Sequence, residues 1–249
     1  MPNVRMAFSR QGNGKPLVLL HGFPLDHRIW EPLIPFLVAD FDVILPDLRG
    51  FGNTITTEKS FSIEDMSNDV VRLLDHLGIV QAIVAGHSMG GYAALSFAKS
   101  FPDRLLGLGL IATQSLPDSQ ERKQARYETM KLVEENGVDS LAVTMAEKLS
   151  SQPRLREEVA KMIKMQSKAG IVCALKALAE RPDLTPVLAD LKVQVTIVHG
   201  DADILIPVER AMAMKEILPG SFLTILPGAG HLPMMEKPIE TAAALLCVG

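Results

Sequence analysis

The sequence predicts an α/β fold: a mostly parallel sheet flanked by helices, with a helical segment inserted between two strands. Short, uniformly apolar runs, helical spacings between them and one long charged stretch carry that expectation. The runs are Leu17–Leu20, Phe41–Leu45, Gln81–Ala85, Leu105–Ile111, Val193–Val198 and Phe222–Leu226. Each is bounded by Gly, Pro, Asp or Asn, and β-branched residues are frequent in most. They are too short and too evenly apolar for amphipathic helices, and they match strands buried on both faces.

The helical elements follow in chain order. Ile63, Met66, Val70, Leu73 and Leu77 step by three and four, and Gly78 is a stop signal. Met89–Ser100 is rich in Ala and ends before Phe101-Pro102; Val208–Leu218 is closed by Pro219-Gly220; Glu240–Val248 supplies a last apolar stripe. This alternation with short loops is the signature of an α/β layer fold. Gln114–Thr185 breaks it: 72 residues with 12 Lys or Arg, 11 Asp or Glu, and only Gly137 and Gly170 among the glycines. Helical spacing shows at Leu141/Met145/Leu149, Val159/Met162/Ile163/Gln166 and Ile171/Leu175/Leu178. A stretch this long exceeds a single crossover, so residues 114–185 are read as a helical cap inserted into a core of residues 1–113 and 186–249.

Composition narrows the function classes. A chain of 249 residues can bury one large core without staples. A net charge of −4 argues against nucleic acid as a partner. Two cysteines, Cys173 and Cys247, are too few for a disulfide framework. Met1–Lys15 contains no apolar leader core, and the longest apolar run, Leu105–Ala112, is far short of the ~20 residues of a membrane helix. The expectation is a cytoplasmic protein, monomer or homodimer, acting on a small molecule away from membranes. Without a Cys pair or an H-E-x-x-H pattern no metal site is expected. Gly12-Asn13-Gly14-Lys15 mimics part of a phosphate loop but precedes a strand, and is discarded.

The sharpest chemical feature is Gly86-His87-Ser88-Met89-Gly90-Gly91. G-x-S-x-G between a buried strand and a helix forces the serine into a strained turn and exposes its Oγ at the sheet edge. The helix N-terminus behind it favours developing negative charge. A serine needs a base. Of six histidines, His231 in Pro227-Gly228-Ala229-Gly230-His231 follows the last strand and reaches the same edge. Asp201 and Asp203 follow the strand before it; Asp203 is favoured as the orienting carboxylate, and Asp201 as a turn-stabilising side chain. His21-Gly22-Phe23-Pro24 follows the first strong strand, so the N–H groups of Phe23 and Met89 are the candidate oxyanion donors; Pro24 has none to offer. Trp30, Met130, Met145, Leu205 and Leu232 are candidates for an apolar pocket, with Met162, Met165, Met234 and Met89 as further apolar neighbours.

On His21–Pro24, Asp47-Leu48-Arg49-Gly50-Phe51-Gly52, Gly86–Gly91, Gly200–Asp203 and Gly230-His231, the chain resembles the α/β-hydrolase fold superfamily over essentially its whole length. The order Ser…Asp…His agrees with it. Within it the chain is similar to small serine esterases, 3-oxoadipate enol-lactonases and cofactor-free haloperoxidases. Asn53-Thr54 departs mildly, standing where relatives often have a serine. The resemblance implies a capped active site, a Ser88–His231–Asp203 triad, no cofactor, and ester hydrolysis through an acyl-enzyme. It also makes dehalogenase and epoxide hydrolase activities unlike this chain, since those relatives carry aspartate at the position of Ser88. Lactone hydrolysis, perhydrolysis, carbon–carbon bond hydrolysis and a small-ligand receptor of the same fold remain as alternatives.

Overall fold

The structure, a computed structural model, describes residues 5–56 and 60–249; the first four residues of the leader stretch considered above lie outside them. Among the described residues seven strands form one sheet in the order β1-β3-β2-β4-β5-β6-β7. They are β1 Phe8–Gln11, β2 Lys15–Leu20, β3 Phe41–Pro46, β4 Ala82–His87, β5 Leu105–Ile111, β6 Gln194–Gly200 and β7 Phe222–Leu226. All neighbours are parallel except β1, which pairs antiparallel with β3.

The helices are α1 Ile34–Leu37, α2 Ile63–His76, α3 Met89–Ser100, α4 Gln120–Asn136, α5 Asp139–Leu149, α6 Pro153–Lys164, α7 Lys168–Glu180, α8 Thr185–Asp190, α9 Glu209–Ile217, α10 Pro233–Glu236 and α11 Pro238–Leu246. A 3₁₀ segment, His27–Leu33, leads into α1. The six apolar runs are all strands, and the four helical patterns outside the insertion are all helices within a few residues. Gly78 takes φ 67° just past α2, as a stop residue does.

Successive strand residues face opposite layers. Leu17 and Leu19 of β2 join the apolar cluster that contains Trp30 and Leu245; Val18 and Leu20 join the one that contains Met66 and Phe97. This two-residue period, apolar on both sides, is why the runs read as evenly hydrophobic.

Besides the short α1, α8 and α10, β1 and α4 were not visible in the pattern. β1 carries a single apolar residue, Phe8, because an antiparallel edge strand is half solvated. α4 is long but buries only Val133, so it has almost no apolar stripe to announce it. Between β5 and α8 the chain runs through α4–α7, with α4 packed on α7 and α5 on α6. These helices supply residues to both apolar clusters, Val133 and Ile171 to one and Leu149 and Ile163 to the other. Gln166, placed on an apolar stripe by its spacing, instead lies beyond α6. It accepts the Gly52 N–H at 2.8 Å and donates to Asp26 Oδ2 at 2.8 Å, fastening the inserted helices to the sheet loops.

A buried ion pair fixes the loop after β3. Arg49 Nε and Nη2 donate to the two carboxylate oxygens of Asp69 on α2 at 2.7 and 2.8 Å, with both side chains essentially inaccessible. Arg49→Ala leaves that carboxylate with Arg72, 3.1 Å away and partly solvated. The expected loss is about 3 kcal/mol, the low end for breaking a buried pair, read as a lower urea midpoint at unchanged m-value.

Candidate active site

β2 and β4 are adjacent and in register, Leu20 opposite Gly86, so the segments leaving their carboxyl ends share one edge. Ser88 sits there between β4 and α3 at φ 51°, ψ −112°, outside the wells an L-residue prefers. Its N–H donates to Ile111 O at 2.9 Å, and Thr113 Oγ1 donates to its carbonyl at 2.9 Å. A Cβ on Gly86 would overlap the Gly90 backbone, and one on Gly90 would overlap the Leu20 carbonyl. The glycines are therefore required by close backbone approach on both sides of the serine.

Asp203 and His231 meet on the loops after β6 and β7. His231 Nδ1–H donates to Asp203 Oδ2 at 2.6 Å, while Oδ1 accepts the N–H groups of Leu205 and Ile206 at 2.8 and 3.0 Å. Burial disfavours the ionised carboxyl, but His231, His199 and these donors outweigh it and hold Asp203 well below the usual carboxylate range. Asp201 does not reach the imidazole; it accepts the Gly228 N–H at 2.6 Å and ties the two loops together. The two aspartates thus have different partners, Asp203 the imidazole and Asp201 a backbone N–H.

Two histidines that the sequence left without a role brace the site. His87 Nε2–H donates to the carbonyl of His231 at 2.7 Å, its ring centroid 4.8 Å from that of His231. Burial pushes His87 well below its ordinary pKa, so it stays neutral. His199 Nε2–H donates to Ile206 O at 2.8 Å behind Asp203. His231 N–H itself donates to Leu149 O at 3.1 Å, at the end of α5. The inserted helices thus help to hold the imidazole. No sequence spacing signals these backbone contacts.

Ser88, His231 and Phe23 line one cavity of about 410 Å³, within the usual range for small-molecule sites. Ser88 and His231 make no hydrogen bond to each other; such bonds often close only around a substrate. The N–H of Met89, first residue of α3, has no intrahelical acceptor, and neither it nor the Phe23 N–H is engaged by a backbone acceptor among the described residues.

The pocket expectation needs correction. Met145 and Leu205 line the cavity, but Trp30, Met130 and Leu232 do not. Trp30 and Leu232 are fully buried in the apolar cluster beneath the sheet edge, and Met130 packs against the other cluster. Met162 is core and Met165 is exposed. The wall is instead formed largely by α4, α5 and α7, with Arg122, Arg126, Thr129, Thr144 and Lys148 beside Leu175 and Leu178. α4 was missed because it points polar residues into the cavity.

Asp26, His27 and Asp47 bring potential ligand atoms within 4.8 Å of one another. Their oxygens are already engaged: Asp26 by Arg28 and Gln166, Asp47 by His27 and the Asn53 N–H. This cluster anchors loops, and its guanidinium opposes a cation.

The sequence profile of the alpha/beta hydrolase fold matches residues 15–238. The chain is 33% identical over 243 residues to the dihydrolipoyllysine-residue acetyltransferase component of the acetoin cleaving system of Pseudomonas putida, covering 94% of this chain and 63% of that protein. It thus spans less than two thirds of that relative. It is 28% identical over 234 residues to 3-oxoadipate enol-lactonase 2 of Acinetobacter baylyi, covering 92% and 86%. A thermophilic esterase from Thermogutta terrifontis, in a malate-bound structure, superposes with a TM-score of 0.94 at 36% identity, covering 98% of this chain and 92% of that one.

Proposed function

The chain belongs to the alpha/beta hydrolase fold family, and on that premise we propose that it is a serine hydrolase of small carboxylic esters. The observation that carries this reading is the 2.6 Å Asp203–His231 hydrogen bond beside a strained serine in a shared cavity. With Nδ1 committed to Asp203, His231 Nε2 is the basic nitrogen. It takes the Ser88 proton as Oγ attacks the ester carbonyl. The N–H groups of Phe23 and Met89 receive the oxyanion, and the positive end of α3 adds to them. His231 then protonates the leaving alcohol. Water repeats the sequence on the acyl-enzyme, with Asp203 holding the imidazole throughout. The reaction as written requires no cofactor. Residues 114–185 act as the cap that roofs the cavity. Lactones are a second substrate form, supported by the likeness to the enol-lactonase along nearly the whole of both chains.

Ser88→Ala is expected to lower kcat/KM for p-nitrophenyl butyrate by at least about 10³ while leaving circular dichroism unchanged, since triad knock-outs cost orders of magnitude. Equal activity would overturn the assignment. A fluorophosphonate adduct is expected on Ser88 by peptide mass spectrometry.

Asp203→Asn is expected to lower kcat by about 10⁴, because the amide holds the wrong imidazole tautomer. Asp201→Asn weakens one turn contact and leaves kcat within about tenfold, the scale of a single lost hydrogen bond. Asp203, held well below the usual carboxylate range, stays ionised and adds no step of its own to the pH–rate profile. A pH–rate series on both variants checks this.

Across p-nitrophenyl acetate, butyrate, octanoate and palmitate, kcat/KM is expected to peak among the short acyl chains, as a cavity of about 410 Å³ requires. A maximum at palmitate would overturn the roofed-cavity picture.

A further inference from the structure

The charge on the cavity wall opposes that of the chain. The net charge is −4, yet the lining includes Arg122, Arg126 and Lys148 and no carboxylate among the described residues. Their surroundings compensate that charge only in part. Arg122 Nη2 donates to the carbonyl of Leu205 at 2.8 Å, a neutral acceptor. Arg126 is paired with Asp118, but Asp118 also faces Arg181 at 2.9 Å, so two guanidinium groups share one carboxylate. Although burial disfavours its charge, those two cations hold Asp118 below the usual carboxylate range. Lys148 makes no ion pair or hydrogen bond among the described residues.

The cations are also placed by the catalytic loops. Leu205, held by Arg122, donates its own N–H to Asp203 at 2.8 Å. Lys148 directly precedes Leu149, whose carbonyl accepts the His231 N–H. Leu175 and Leu178 offer an apolar surface in the same cavity. An aliphatic chain ending in an anion would satisfy both kinds of wall, and in a cleft of one sign the local potential draws such substrates in.

We propose that this cavity selects esters and lactones bearing a second, ionised carboxylate, which Arg122, Lys148 and Arg126 receive while the ester carbonyl lies at Ser88. The selection rests on the ester-hydrolysis reading above. Hydrolysis of such a half-ester adds water across the acyl C–O bond and releases the alcohol, a dicarboxylate and one proton.

The test compares mono-p-nitrophenyl esters of glutaric, adipic and suberic acids with p-nitrophenyl pentanoate, hexanoate and octanoate. Each pair has the same carbon count and differs in a terminal carboxylate or methyl. For at least one pair kcat/KM is expected to favour the half-ester about tenfold, the size of one charge-assisted hydrogen bond. The ratio falls toward one in Arg122→Gln and in Lys148→Gln, and also in about 1 M salt, where the Debye length is near 3 Å. Lys131→Gln, on the exposed side of α4 and away from the cavity, leaves the ratio unchanged. A ratio at or below one for all three pairs, or an equal fall in Lys131→Gln, overturns the proposal. A second arm uses titration calorimetry of the Ser88→Ala protein with suberate and with dimethyl suberate. Tighter binding of suberate, lost on adding Arg122→Gln, supports the anion site even if no ester is turned over. Equal or absent binding of suberate refutes it independently of the hydrolase reading.

Discussion

Ser88 adopts a backbone conformation that costs an L-residue on the order of 1–3 kcal/mol, and the surrounding structure is arranged to hold it there. The Ile111 carbonyl at the end of β5 and the Thr113 hydroxyl just beyond it fix its N–H and C=O. Gly86, Gly90 and Gly91 remove the side chains that would keep β4, α3, β2 and Thr113 apart. The strain is thus over-determined by two neighbouring strands and the helix that follows. Its return is an Oγ raised above the sheet edge with the N-terminus of α3 behind it.

From that fixed point the parallel register places the remaining groups. Leu20 opposite Gly86 brings the Phe23 segment beside Ser88, and Gly200 opposite Leu226 brings the Asp203 and His231 loops beside each other. His87, next to Ser88 in sequence, reaches the His231 carbonyl and links the two halves of the edge. A Cβ on Gly22 would collide with the His87 ring, so the loop after β2 packs on the same imidazole. A neutral, buried His87 is compatible with all three roles because it donates from one nitrogen only.

The helices between β5 and α8 line the cavity and also hold the loops around it. Leu149 accepts the His231 N–H, Gln166 spans Gly52 and Asp26, and Ser167 Oγ donates to the Gly50 carbonyl at 3.2 Å. The loop after β3, anchored by Arg49 to Asp69, therefore receives the insertion directly. A shift of α5 or α6 would move the imidazole or the loops beneath it.

The sequence by itself determined six of the seven described strands, the longer helices that flank them and the serine turn, and it offered Asp203 beside His231. These depend on short-range rules: burial on both faces makes strands evenly apolar, and a close-packed turn needs glycines at fixed offsets. Only the tertiary structure decided the cavity wall. Trp30 and Leu232 lie near the motifs in sequence and Met130 lies in the inserted segment, but apolar character fits a core position as well as a pocket. α4 showed no stripe because one of its faces meets the cavity rather than a hydrophobic layer, so Arg122 and Arg126 read as ordinary surface charge. The bracing by His87 and Leu149 was hidden for a similar reason: a backbone carbonyl is the same in every residue. Which side chain reaches it depends on how the loops and inserted helices come together.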